Sequence, residues 1–146
     1  TSYLASLNHG CTVHTFEGSY VLTQYARVVF NSLNLNNIEI SEGNFDATLP
    51  EALKKLPQVD FSFIDGNHTF EATKKYFEWL LKKSSDHSVI IMDDIYWSKE
   101  MHKAWMDIIK HPKVKASVDM YKFGIIFLNP EAAGHYKVFT KYLFDI

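Results

Sequence analysis

Short alternating, β-branched runs and amphipathic helical patterns succeed one another along this chain as far as about residue 111. No other feature limits its fold so tightly. Parallel strands of one sheet need a crossover between them, usually a helix, so strand–helix alternation implies a parallel sheet with helices on both faces. Residues 12–17 alternate and carry Thr12, Val13 and Thr15, which predicts a strand. Leu22, Tyr25, Ala26, Val29 and Leu33 follow at helical spacing, with Ser19 placed to cap that helix. Asn36 and Asn37 break it, and residues 38–42 read as the second strand. Leu49, Leu53 and Leu56 predict a short helix opened by Pro50 at a first-turn position.

Residues 59–64 form a third expected strand, and Phe70, Thr73, Phe77, Leu80 and Leu81 the apolar stripe of the helix after it. Residues 88–92 are the most apolar run, as a central parallel strand buried on both faces should be. Ser98 then caps a helix whose inner face is Met101, Ala104, Trp105, Ile108 and Ile109. The rhythm changes after His111-Pro112. Residues 115–120 and 123–128 lie too close for a helical crossover and should pair as an antiparallel hairpin. Residues 129–146 read equally well as a helix or a last strand. At the other end, residue 1 is Thr and residues 1–7 already have a helical pattern around Tyr3, Leu4 and Leu7. The expectation is that upstream residues precede this sequence. One domain is expected from 146 residues, with no linker, repeat or low-complexity segment.

The bulk composition narrows the partners. Formal net charge is −2 and no basic stretch exceeds two adjacent lysines, which argues against a nucleic-acid ligand. The pairs at Lys54-Lys55, Lys74-Lys75 and Lys82-Lys83 read as solvated helix faces. No apolar run approaches the roughly 20 residues that cross a bilayer, so no membrane partner is expected. The lone Cys11 excludes an internal disulfide and a multi-cysteine zinc site, and fits a reducing, cytoplasmic location. With no basic neighbour except His9 or His14, it has little support as a nucleophile.

What ends each strand is more informative. The first expected strand ends at Glu17-Gly18, the second runs into Glu42-Gly43-Asn44-Phe45-Asp46, the third ends at Asp65-Gly66-Asn67-His68 and the fourth at Asp93-Asp94. In open α/β sheets the carboxyl ends of the strands line one crevice where ligands bind. Each acid taken alone is explained by capping of the next helix. Four consecutive acidic strand ends, two of them followed by Gly, are harder to assign that way. A carboxylate at Glu17 is placed to accept two ribose hydroxyls, and Gly18 beside it leaves room for the sugar. Asn44 is a candidate for reading an adenine amino group, with Phe45 packing on the ring. Asp65, Asp93 and Asp94 make an oxygen-only set suited to Mg²⁺, which would hold a catechol-like or sugar hydroxyl pair.

These residues resemble the class I S-adenosylmethionine-dependent methyltransferases, nearest the small-molecule O-methyltransferases of the catechol and macrolide-sugar kinds. The resemblance runs from Tyr3 to about Leu128 and is strongest over residues 63–71, from Phe63 through Asp65, Gly66 and His68, and over residues 90–95, around Asp93-Asp94. Phe16-Glu17-Gly18 and Gly43-Asn44-Phe45 add to it, as does the terminal hairpin. It implies an α/β, Rossmann-like, doubly wound, mostly parallel sheet with a C-terminal antiparallel hairpin. The family's first strand and glycine-rich loop are absent from this sequence; that strand would lie between those ending at Glu17 and Asp65.

It also implies methyl transfer from S-adenosylmethionine to a small-molecule hydroxyl. Glu17, Gly18, Asn44, Phe45 and Asp65 would bind the cofactor, His68 and Asp65 would be catalytic, and Asp65, Asp93 and Asp94 would take Mg²⁺. A homodimer is the candidate assembly. The competing reading is a Rossmann-like domain without catalysis that binds a nucleotide or a partner. A nicotinamide-dependent oxidoreductase is disfavoured by Asp93-Asp94 and by the antiparallel ending. His68 has a bland alternative as a local hydrogen-bonding residue of its loop. Tyr96-Trp97 either wall a substrate pocket or, for Trp97, pack under the next helix. Trp105 belongs to the helix core.

Overall fold

The expected alternation is present in the structure, a computed structural model that describes residues 1–138. The chain divides into two compact units, Thr1–Lys55 and Leu56–Ile146.

In the first unit, helix α1 (Ser2–Leu7) precedes strand β1 (Val13–Glu17), helix α2 (Tyr20–Ser32), strand β2 (Ile38–Glu42) and helix α3 (Phe45–Lys55). Strands β1 and β2 run parallel in register from Val13↔Ile38 to Glu17↔Glu42. The core is small: Ala5, Phe30 and Leu35, with Val13, Ala26, Ile38 and Ile40 packed around them. Ser19 caps α2 through the Leu22 N–H, as its residue type predicts. The face that α2 buries differs from the expected one. Thr23 and Phe30 are buried, whereas Leu22, Tyr25 and Leu33 are 55%, 70% and 54% exposed. Two apolar stripes compete on this helix, and contact with the β1–β2 pair selects the one through Ala26 and Phe30. Helix α3 also departs from expectation, because it starts at Phe45 and contains Pro50 in its interior. The Asn44 side chain accepts the Asp46 N–H at 2.8 Å, which opens the helix a full turn before the proline.

The second unit carries β3 (Val59–Ile64), α4 (Phe70–Leu81), β4 (Ser84–Asp93), α5 (Lys99–Ile108), β5 (Ala116–Asp119), β6 (Phe123–Phe127) and β7 (Gly134–Lys137). Its five-stranded sheet has the order β3-β4-β6-β5-β7. Strands β3 and β4 are parallel, β6 is antiparallel between β4 and β5, and β7 is parallel to β5. This is the parallel sheet with a terminal antiparallel hairpin that the pattern predicted. Of the ambiguous tail, residues 134–137 are strand, while residues 139–146 lie outside the described residues. Strand β4 starts at Ser84, four residues before the apolar run that announced it. Ser88 fixes that polar stretch, taking the Ser85 N–H on its hydroxyl and donating to the Val59 carbonyl. Phe77, Ile90, Met92, Ile95, Trp105, Ile108 and Ile126 form the core. Ser98 and Thr69 cap α5 and α4 as Ser/Thr at that position should.

Among the described residues β1 pairs with β2 alone and β3 with β4 alone. Each therefore presents one backbone edge that no described strand pairs.

Candidate functional site

The predicted residues gather at strand carboxyl ends in both units. In the first unit, Glu17 closes β1 and its carboxylate turns back over its own loop, accepting the Ser19 N–H on Oε1 at 2.8 Å. The Gly43 N–H donates to the Glu17 carbonyl at 2.9 Å, which ties the ends of β1 and β2 together. An added Cβ at Gly18 would meet nothing nearer than the Gly43 carbonyl oxygen at 4.0 Å, so the space beside Glu17 is open. Gly43 has φ +126, a conformation that L side chains rarely adopt, and it aims Asn44 into its capping role. The Asn44 amide oxygen is engaged by Asp46 N–H. Capping thus engages Asn44 Oδ1, the acceptor that an adenine amino group would need. Phe45 is the first residue of α3 and is half-buried.

In the second unit, Ile64 pairs with Met92, so Asp65 and Asp93 follow at the same level on neighbouring parallel strands. Asn67 and Asp94 both have φ +51, and these left-handed turns bend the two loops away from the sheet. The loops bring His68 between two acids: its Nε2 lies 3.5 Å from Asp65 Oδ1 and 3.8 Å from Asp94 Oδ2. Nε2 is buried and makes no hydrogen bond among the described residues. The imidazole thus stands between two carboxyl groups with that nitrogen toward both. Asp93 is turned elsewhere, its Oδ1 accepting the Asp94 N–H at 3.0 Å.

That last contact bears on the expected metal set. Among the described residues no three His, Cys, Asp or Glu side chains are grouped to hold a metal ion. Asp65, Asp93 and Asp94 do neighbour one another. Asp93 Oδ1 is engaged by its own turn, and Asp94 Oδ2 faces the His68 imidazole.

Trp97 does not pack under α5. Its side chain is 71% exposed, with its ring centroid 6.0 Å from that of His68. A polar cluster that the sequence reading missed braces the same loop. Tyr96 Oη donates to Asp119 Oδ2 at 2.7 Å and accepts from Lys137 Nζ at 2.5 Å. The Tyr96 ring stacks on His102 at 4.5 Å and on Tyr121 at 5.1 Å. Burial raises the Tyr96 phenol above its ordinary pKa, and the bond to that phenol raises Lys137. The only sequence signal for this cluster was Asp119 at the end of a hairpin strand, which turn formation alone explains.

No curated protein sequence matches the chain. Solved structures do resemble it. The O-methyltransferase from Bacillus cereus, in complex with SAH, is 23% identical with a TM-score of 0.63, the match covering 80% of this chain and 62% of that one. The O-methyltransferase TomG from Streptomyces achromogenes, in complex with SAM, is 15% identical with a TM-score of 0.68, covering 81% and 62%. The SAH-bound methyltransferase from Podospora anserina is 14% identical with a TM-score of 0.66, covering 80% and 60%. The chain thus spans 60–62% of the length of these structures, and at such identities the likeness establishes the Rossmann-like fold. Residues 2–95 match the family described as Methyltransferase domain. That match covers more than half of the sequence, and on it the chain belongs to the methyltransferase domain family.

Proposed function

We propose that this chain is part of an S-adenosylmethionine-dependent O-methyltransferase acting on a small-molecule hydroxyl. The observation that carries the reading is His68 Nε2 between Asp65 and Asp94 at the ends of two parallel strands, in a chain of this family. S-adenosylmethionine would supply a methyl group on a sulfonium. His68 would take the hydroxyl proton as the acceptor oxygen accepts that methyl group and the sulfur leaves as a neutral thioether. Asp65 and Asp94 stabilise the imidazolium so produced. Glu17 keeps acceptor capacity for two ribose hydroxyls beyond its one bond to Ser19, since a carboxylate offers about four lone-pair sites. Gly18 admits the sugar, Asn44 reads the adenine and Phe45 packs on it. Asp65 then serves both the cofactor and the base.

Calorimetry on the full-length protein tests the cofactor half. Glu17→Ala should weaken S-adenosylmethionine and its demethylated product by about 1.5–3 kcal/mol, roughly 10- to 150-fold in Kd. Unchanged affinity would remove Glu17 from the site. His68→Gln should leave that affinity intact and lower kcat by about 10²–10⁴. Turnover should persist in excess chelator; its abolition there would restore Mg²⁺ on Asp65, Asp93 and Asp94 to the mechanism. No helix among the described residues is long and apolar enough to cross a membrane. A cytoplasmic location and a homodimer complete the proposal, the latter read by sedimentation velocity.

A further inference from the structure

Helix α2 (Tyr20–Ser32) is apolar on its outer side as well as its inner one. Thr23 and Phe30 are buried on the inner side, and Ala26 packs with Phe30 in the small core. The outer face repeats at helical spacing through Val21, Tyr25 and Val28, which are 72%, 70% and 66% exposed, with Leu22 and Leu33 beside them. The helix has a single charged residue, Arg27, and its guanidinium is turned from that stripe to donate to the Ile40 carbonyl of β2 at 3.4 Å. A helix that faces water carries charged and polar residues on its outer side, and one that is apolar all round is buried.

We infer that this face of α2 is where a second copy of the chain docks, the two helices crossing antiparallel about a two-fold axis at Tyr25. The inference rests on the homodimer named in the proposed function and gives it a surface. Three observations select a second copy. The first is symmetry. A two-fold contact is self-complementary, so that one residue meets another and that other meets the first. Leu22 precedes Tyr25 by three residues and Val28 follows it by three. An antiparallel crossing therefore sets Tyr25 on the partner's Tyr25 and Leu22 on the partner's Val28.

The second observation is charge. The stripe carries none, so two copies approach without like-charge repulsion. Interface cores are depleted of charged residues and enriched in Tyr, as this one is. An anionic lipid surface would call for lysines and arginines along the border of the stripe. Helix α2 has Arg27 alone, and the chain has a net charge of −2.

The third is area. Val21, Leu22, Tyr25, Val28 and Leu33 together leave on the order of 500 Å² in water, which matches the roughly 65% apolar share of the about 800 Å² that each partner gives to a standard homodimer interface. Covering it also adds burial to a unit whose own core is only Ala5, Phe30 and Leu35.

The test is sedimentation velocity on the full-length protein from about 1 to 100 µM. A dimer is expected. Tyr25→Asp should raise its Kd about 100-fold or more, because the two-fold axis removes a central side chain from each copy and sets two carboxylates together. Tyr25→Phe should hold the Kd within about 3-fold of the parent, and so should Tyr136→Asp on the exposed strand β7. In a Cys11→Ser background, Tyr25→Cys should give a disulfide-linked dimer on mild oxidation, which needs the two Cα atoms within about 7 Å. That readout does not depend on how well the charged variant folds. Either an unmoved Kd in Tyr25→Asp or the absence of the Tyr25→Cys cross-link overturns the inference and leaves the homodimer standing. Dissociation by Tyr136→Asp instead would put the interface on β7 and overturns it likewise. A monomer at the highest concentration overturns the inference and the homodimer together, while S-adenosylmethionine titration of the same sample decides the methyl-transfer reading by itself. In such a monomer, a Tyr25→Cys thiol that resists alkylation would show another part of the chain covering the stripe.

Discussion

Gly124 sits in β6 opposite Met92 of β4 and Asp119 of β5, at the crossing of the parallel and antiparallel parts of the sheet. A Cβ at this position would stand 2.5 Å from Trp105 Cη2 and Cζ3 and 2.9 Å from Cε3. Carbon atoms are comfortable at about 3.5–4.0 Å, so Gly124→Ala requires the indole to retreat by roughly 1 Å. Trp105 is 1% exposed and packed in the core with Phe77, Ile108 and Ile126, which leaves it no direction of retreat. Overpacking of a dense core costs about 1–3 kcal/mol, and a rigid ring against a central strand belongs at the upper end, near 3. With a urea m-value of about 2 kcal/mol/M for a chain of this size, the midpoint should fall by roughly 1.5 M. Trp105→Phe relieves the clash, so the double variant should cost at least about 1 kcal/mol less than the sum of the singles. A Gly124→Ala midpoint within 0.25 M of the parent (roughly 0.5 kcal/mol at that m-value) would refute the reasoning, because it would mean the core yields freely around the indole.

Tyr96→Phe removes the phenol that links Asp119 and Lys137 and should cost about 0.5–1.5 kcal/mol in denaturant melts. Both Tyr96 and Lys137 have raised pKa values in the fold, from ordinary values of 10.0 and 10.5. Their stabilisation is therefore complete below about pH 10 and is lost as pH rises through the raised values. A stability series from pH 8 to 11 should fall more steeply for the parent than for Tyr96→Phe, and equal slopes would exclude the cluster as the cause. Gly43→Ala forces a Cβ onto φ +126 and should cost about 1–3 kcal/mol by thermal melting while weakening cofactor binding through Asn44. Full retention of both would mean that the β2–α3 turn relaxes at no cost.

The order of elements and the placement of the acids were written in local sequence. Period-two and helical patterns survive in the sequence because each strand or helix must bury one face, whatever it packs against. Ser19 and Ser98 announced helix starts because a hydroxyl there satisfies the otherwise unpaired N–H groups of the first turn. The hairpin of β5 and β6 followed from the short spacing between its strands, and Glu17, Asn44, Asp65, Asp93 and Asp94 from their position after strands.

Tertiary structure decided what depends on contacts distant in sequence. Helix α2 has two apolar stripes, and only the strands beneath it select Phe30 over Tyr25. Pro50 looked like a helix start until the Asn44 cap set the start at Phe45. His68 comes between Asp65 and Asp94 because two left-handed residues, Asn67 and Asp94, bend their loops, and nothing in the composition marks either. Tyr96, Asp119 and Lys137 are separated by 23 and 41 residues along the chain as counted from Tyr96. Their meeting is fixed only when β7 adds to β5, and with it the rigid loop that leaves Trp97 in solvent. Periodicity records which residues want a partner; which partner they receive is settled by how the elements close on one another.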